Sequence, residues 1–246
     1  MSSNFPTAAK AAEILERVHQ TRPRVHCLMN TVVQKFTADG ITVIGGIPSM
    51  TTSLEEIESF VTKADALTVN LGTLDAERRK VIRLAIEIAN KAGKPWIVDP
   101  VHCDYSPSRL EFARELITLS PTIVRGNRAE MSLIGDVPNT LRIETGPVDH
   151  LRDATRNVSI VNGHPWMAKV TGTGCLSGGV IAAFMAVEKD PLAAAASALA
   201  VTGVSAELAA KQAKGPGTFE PAFLDALSEI SREDIMKHAR IEHEQG

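Results

Sequence analysis

Apolar positions recur at intervals of three and four along much of this 246-residue chain, and short unbroken apolar runs stand between those stretches. Ala8, Ala11, Leu15 and Val18 fall on one face at helical spacing and predict an amphipathic helix over residues 7–20. RVHCLMN reads as a short buried strand ending at Asn30, TVVQKFTADG as a helix that stops at Gly40, ITVIGG as a second short strand and IPSM as a loop. SLEEIESFVTKA opens on Ser53, a capping residue, with Glu56 three positions later as its capping-box partner. ADALTVNLGT is a strand followed by a loop. DAERRKVIRLAIEIANKAG predicts a helix bounded by Asp75 and Gly93, with Val81, Leu84, Ala85 and Ile88 on one face. KPWIVDPV is an apolar strand ending in Asp99, and SPTIVRGNRAEMSLIG reads strand, loop, helix. NVSIVNGHPWMAKVTGTGC is strand and turn, and the last quarter is alanine-rich helix. Short strands alternating with longer helices imply βαβ units: an α/β fold with a mostly parallel central sheet and helices on both faces. Without a repeat or a low-complexity linker, residues 1–246 read as a single domain.

Composition narrows the function. The 26 basic and 29 acidic residues leave a net charge of -3, without the clustered basic charge of a nucleic-acid or membrane-surface protein. Aromatic residues make up 4%, too few for a base-stacking platform. GGVIAAFMAV is too short to span a membrane, and the other apolar runs read as no longer. Lys10, Glu13 and Glu16 interrupt the N-terminal segment, so it does not read as a signal peptide. Three widely spaced cysteines, Cys27, Cys103 and Cys175, fit neither a disulfide framework nor a zinc site; they suit a reducing, cytoplasmic setting.

In an open parallel sheet, ligands bind at the carboxyl ends of the strands. Asn30, Asn70, Asp99, Arg125, Asn127 and Glu130 all fall at such ends. Asp99 and Glu130 suit a magnesium ion, which takes one or two carboxylates and completes its shell with water and phosphate. Their plainer readings are a turn residue before Pro100 and a first-turn carboxylate facing a helix dipole. The Arg125 fork matches phosphate oxygens. TGTG, residues 171–174, is a glycine-rich turn before a helix, and backbone N–H groups in such a turn face an anion. Cys175 follows it directly, at a helix start that lowers a thiol's pKa; its plainer reading is a small core residue. Cys27 and Cys103 keep that core reading, and His26 and His164 read as hydrogen-bonded structural residues.

VHCLMNTVVQKFTADG, GGIPSM, ADALTVNLGTL, PWIVDPV, IVRGNRAE, TGPVD, NGHPWMAKVTGTGC and GPGTFEPAFLDAL occur in an order that resembles hydroxyethylthiazole kinase, of the ribokinase-like superfamily, from about residue 24 to residue 227. The resemblance implies ATP-dependent phosphorylation of 4-methyl-5-(2-hydroxyethyl)thiazole, a thiamine-salvage step, with Mg2+, in a homotrimer whose active sites lie between subunits. Many ribokinase-like relatives carry an Asp as base after the glycine turn; here that position is Cys175. Carried over residue by residue, Met50, Gly172 and Asn30 fall on the substrate side, Arg125, Thr145 and Asn127 on the ATP side, and Asp99 and Glu130 on the metal side. Alternatives are another vitamin-precursor kinase of the same fold, of the hydroxymethylpyrimidine or pyridoxal type, and a non-catalytic thiazole- or nucleotide-binding member. Two features depart from the family pattern. LIGDVPNTLRIETGPVD is short where a further helix usually precedes the strand leading to TG, and DPV runs on into His102, Cys103, Asp104 and Tyr105 instead of small residues.

Overall fold

Polar side chains mark where most of the helices begin. In the computed structural model, which describes residues 5–244, the Thr7 hydroxyl accepts the Lys10 N–H and starts α1 (Ala8–Thr21). The Asp75 carboxylate accepts the Arg78 N–H and starts α4 (Ala76–Lys91). Ser106 and Pro107 open α5 (Pro107–Ile117), and Asp190 and Pro191 open α8 (Pro191–Gln212). Asn127 with Glu130 forms a capping box on α6 (Arg128–Ile134), and Ser231 with Asp234 does the same on α10 (Arg232–His238). Each such cap satisfies N–H groups that the first turn leaves free. The other helices are α2 (Gln34–Val43), α3 (Ile57–Lys63), α7 (Thr173–Met185), α9 (Pro216–Glu229) and a 3-10 turn at Pro165–Lys169. The reading of the first four residues lies outside the described ones.

Nine strands among the described residues form one sheet: β1 (Arg24–Leu28), β2 (Ile47–Ser49), β3 (Ala66–Asn70), β4 (Trp96–Asp99), β5 (Ile123–Asn127), β6 (Leu141–Thr145), β7 (Asp149–Arg152), β8 (Asn157–Ile160) and β9 (Ile241–Glu244). Their order is β2-β1-β3-β4-β5-β6-β7-β8-β9. Strands β1 to β6 are parallel, and each step from β6 to β9 is antiparallel. The predicted α/β, mostly parallel architecture is present.

The two faces differ in extent. One apolar cluster joins α1, α2 and α7 to α10 to residues of every strand from β1 to β8 except β2. The other joins α3 to α6 to β1, β3, β4 and β5, and stops there. Helices therefore cover both faces only as far as β5. Beyond it the second face carries Arg142, Glu144, His150, Arg152, Asn157 and Ser159, placed together by cross-strand register. The covered face of the same strands carries Ile143, Leu151, Val158 and Ile160. Alternation of this kind is what a half-covered antiparallel sheet requires. The chain passes from α6 to β6 through Gly135–Thr140 without a further helix.

Four local readings are corrected. Gly40 does not end a helix and ITVIGG is not a strand: α2 continues to Val43, burying Ile41, and the edge strand is Ile47–Ser49, which reads as loop in the sequence. Gly40 and Gly179 are packing glycines. A Cβ at Gly40 would lie 2.5 Å from the Leu176 side chain of α7, and one at Gly179 would lie 2.8 Å from Thr37 of α2, so the two helices touch backbone to side chain. Ser53 does not cap α3. Its hydroxyl accepts the Glu55 N–H, and Glu56 turns to the Thr51 hydroxyl at 2.6 Å, so the helix begins at Ile57. No loop separates β5 from α6. Finally, α8 is long and apolar enough to cross a membrane by length and composition, with mean hydropathy 1.6, contrary to the sequence reading; 89% of its apolar stretch is buried as the central core helix.

Gly40→Ala sets two effects against each other. Alanine favours a helix interior by about 1 kcal/mol, whereas overpacking against Leu176 costs about 1–3 kcal/mol. Packing wins, and a net loss of stability is expected in urea denaturation followed by circular dichroism. Equal or raised stability would show that α2 and α7 are not in close contact at this point.

Candidate active site

The carboxyl ends of β3, β4 and β5 bring Asn70, Asp99 and Arg125 together beneath the first turn of α7. Asp99 is buried and accepts from Arg125 Nη1 at 2.8 Å. Asn70 Nδ2 lies 3.3 Å from Asp99 Oδ2 and 3.3 Å from Cys175 Sγ, so one amide bridges the carboxylate and the thiol. Arg125 Nη2 donates to the Ser177 hydroxyl at 3.2 Å, which ties β5 to α7. The Arg125 Nε is buried and unpartnered among the described residues. A Cβ on Gly72 would meet Asn30 at 2.6 Å and Asn70 Oδ1 at 3.0 Å, which places Asn30 beside this cluster. Asn30 itself accepts the Val32 N–H.

The glycine turn is fixed by backbone conformation and by close packing against the start of α2. Gly172 caps α7 at φ +100, a conformation that side chains resist, and a Cβ there would lie 2.8 Å from Val33. The Thr173 hydroxyl donates to the Met167 carbonyl at 2.6 Å and fixes the turn. Cys175 is the third residue of the helix.

Charges at the site are shifted by burial. Desolvation raises the Asp99 carboxyl to about 6; Arg125 opposes that rise and the nearby Glu130 adds to it. Desolvation, with the Asp99 charge next, pushes the Cys175 thiol up to about 12, against smaller lowering effects of Arg125 and the Asn70 hydrogen bond. The helix start does not make a thiolate here: burial beside a carboxylate outweighs the dipole.

Glu130 is also buried. Its Oε1 accepts the His102 N–H at 2.7 Å and its Oε2 the Asn127 N–H at 2.8 Å. The plainer reading of Glu130 as a first-turn carboxylate holds, in a capping box with Asn127, and Glu130 also lies near enough to Asp99 to raise its pKa. Two mutually repelling carboxylates, one of them buried in an ion pair, fit a magnesium ion that completes its shell with water and phosphate.

Thr145 ends β6 directly opposite Asn127, and its hydroxyl donates to the Gly126 carbonyl at 3.2 Å. Met50 is half-buried against the main core just after β2. His26 is structural: it bonds the Ser49 hydroxyl and the Thr51 carbonyl, and burial lowers it to about 4. His164 caps the 3-10 turn, meets Trp166 edge-on and stacks with Phe219. Cys27 and Cys103 are free and buried. Arg78 carries no sequence signal yet matters here. From α4 its buried guanidinium donates to the Met29 carbonyl at 3.0 Å and the Asn70 carbonyl at 3.1 Å, fixing the ends of β1 and β3 side by side.

The architecture is ribokinase-like: a ribokinase-like superfamily protein from Enterococcus faecalis V583 superposes with a TM-score of 0.67 at 15% identity, covering 90% of this chain and 95% of that one. Within that class the chain belongs to the hydroxyethylthiazole kinase family, whose model matches residues 15–142 and 137–233. The probable hydroxyethylthiazole kinase of Agrobacterium fabrum (strain C58) is 91% identical over 246 residues, the whole of both chains. The hydroxyethylthiazole kinase structure from Pyrococcus horikoshii OT3 is 34% identical, with a TM-score of 0.92 over 96% of this chain and 99% of that one. The family match breaks in two where the segment between α6 and β6 is short. The Agrobacterium relative aligns from end to end over 246 residues, so that segment is equally compact there.

The site electrostatics predict that the free protein shows no thiolate absorbance near 240 nm between pH 6 and 9. Cys103 is likewise raised to about 11, and Cys27 further still. A thiolate step with a midpoint below 8.5 would contradict the burial of Cys175.

Proposed function

We propose that this chain is a hydroxyethylthiazole kinase: it transfers the γ-phosphoryl group of ATP to the hydroxyl of 4-methyl-5-(2-hydroxyethyl)thiazole. The observation that carries the reading is the junction of Asn70, Asp99, Arg125 and Cys175 under the TGTG turn, in a chain of this family. The substrate lies with Met50, Gly172 and Asn30, and its hydroxyl faces Cys175. The nucleotide lies with Arg125, Asn127 and Thr145, its phosphates before the N–H groups of the α7 turn. Asp99 and Glu130 would hold Mg2+, which would supply charge neutralisation for the transferring group.

In the reaction the bond from the substrate oxygen to the γ-phosphorus forms as the bond to the β,γ-bridging oxygen breaks. A loose transition state of this kind demands positioning and charge stabilisation more than a strong base. A neutral thiol meets that demand. Cys175, held by the Asn70 amide, orients the hydroxyl, and the hydroxyl proton passes late to an oxygen of the transferred phosphoryl group, with ADP as the leaving group. Arg125 supplies positive charge below the turn, where water is excluded and charge counts for more. We read residues 1–246 as one kinase domain, acting in the cytoplasm as a homotrimer with shared sites. The exposed apolar residues Val32 and Leu54, in the turns before α2 and α3, with Ile47 on β2 and Phe60 on α3, support that assembly.

Coupled ADP release with the thiazole, pyridoxal and hydroxymethylpyrimidine as separate acceptors tests the reading; thiazole-dependent release is expected. Cys175→Ala, which leaves the hydroxyl unpositioned, should lower kcat about a hundredfold in a folded protein, and unchanged turnover would remove the role given to the thiol. Absence of release from folded protein that still binds thiazole would point to a binding member instead.

Activity should also fall as the pH drops through about 6, because Asp99 must be ionised to hold the metal and its carboxyl is half-protonated there. Metal and proton compete for the same oxygen atoms, so raising Mg2+ should move this limb to lower pH. A limb that stays fixed between low and high Mg2+ would separate it from Asp99.

A further inference from the structure

Beyond the phosphoryl-transfer site, the turn after β4 gathers a second set of donor atoms. One ligand atom each from His102, Asp104 and Glu130 lies within 4.8 Å of the others. His102 and Asp104 are exposed and Glu130 is buried, so the set opens to solvent on one side. The Asp104 carboxylate and the His102 ring nitrogens have no hydrogen-bond or ion-pair partner among the described residues; the imidazole only packs edge-on against Tyr105, with centroids 5.4 Å apart.

Glu130 is held in place for such a role. Backbone N–H groups of His102 and Asn127 bind its two oxygens at 2.7 and 2.8 Å and leave further lone pairs free. Outer contacts of this kind orient a ligating carboxylate. Gly126 makes room for it, since a Cβ there would fall 2.8 Å from Glu130 Oε2. His102 sits at φ +56, in the left-handed region that a residue other than glycine enters at some strain, and this places its ring on the same side as Asp104.

We propose that His102, Asp104 and Glu130 form a binding site for a divalent transition cation of the Mn2+ class, occupied without nucleotide. One imidazole with two carboxylates is a mixed nitrogen and oxygen set, which suits Mn2+ and its neighbours better than the all-oxygen shell that Mg2+ prefers. An ion with bonds of about 2.1 Å holds its ligand atoms about 3 to 4.2 Å apart. The present spread closes to that range by rotating two exposed side chains, and water completes the shell. The site shares Glu130 with the kinase reading but does not depend on it: His102 and Asp104 have no part in phosphoryl transfer.

Mn2+ alone is the probe, titrated into the nucleotide-free protein while the electron paramagnetic resonance signal of free Mn2+ is followed. The intact chain should take up one Mn2+, and a tenfold excess of Mg2+ should not displace it. His102→Asn, chosen because Asn tolerates a positive φ, and Asp104→Asn should each weaken uptake at least tenfold, with circular dichroism unchanged. Uptake by both variants equal to that of the intact chain would assign the ion to Asp99 and Glu130 and overturn the proposal. So would absence of uptake at millimolar Mn2+. Because Glu130 is shared, the two readings are separated at His102 and Asp104: thiazole-dependent ADP release by variants that have lost Mn2+ uptake leaves the kinase reading standing, and Mn2+ uptake by an intact chain that releases no ADP leaves the cation site standing.

Discussion

The buried ion pair between Asp99 and Arg125 is the constraint around which the strand ends are organised. Two charges removed from water repay their desolvation only when further hydrogen bonds complete them. Asn70 supplies one to the carboxylate and Ser177 takes one from the guanidinium, so the pair draws β3, β4, β5 and α7 to a single point. Breaking a buried pair of this kind on one side costs about 3–5 kcal/mol. A hydrophobic replacement of both partners would hold the elements as well, so stability alone does not account for the pair. Its position under a glycine turn, with one guanidinium N–H unpartnered, is what a site for developing negative charge requires.

The same desolvation sets the chemistry of the thiol. Read from the sequence, Cys175 at a helix start suggests an activated nucleophile or base. In place, it is buried next to Asp99, and two like charges in a dry corner do not form together. The helix end contributes a fraction of a unit charge, while burial first, and the Asp99 charge next, push the thiol up. The thiol therefore stays protonated, and what Cys175 offers is a neutral, polarisable hydrogen-bond partner fixed by Asn70.

Much of the fold was legible because its signals are local. Asp75 lies where a helix starts, Glu130 falls in the first turn of another, and the runs ending at Asn70 and Asp99 are strands with ligand-facing ends. The misreadings arise where a side chain finds a partner that the local pattern does not announce. Gly40 looks like a helix stop until α7 is seen pressed against it, and Ser53 loses its cap because Glu56 finds Thr51. At the site, the residues were visible as strand-end polar groups, but their pairing was not. Arg78 was missed because a helix arginine reads as a solvated charge, and nothing in its neighbourhood announces that it reaches two carbonyls across the sheet.

The short passage from α6 to β6 then has a physical explanation. A helix there would need an apolar face on β6 to β8, and the strands offer Arg142, Glu144, His150 and Arg152 instead. Arg142 also does locally what a continuing chain would do: its guanidinium takes the Met131 carbonyl at 2.9 Å and the Gly135 carbonyl, closing the end of α6. The free carbonyls of that helix end are thus satisfied from the sheet, and the polar face tolerates water. Thr145 keeps its place beside Asn127 because the β5–β6 register is fixed by backbone hydrogen bonds and by Ile123, Leu141 and Ile143 on the covered face, none of which depends on the missing element. A compact connection at this point therefore alters the flank of the sheet while leaving the strand ends, and the groups they present to a nucleotide, in register.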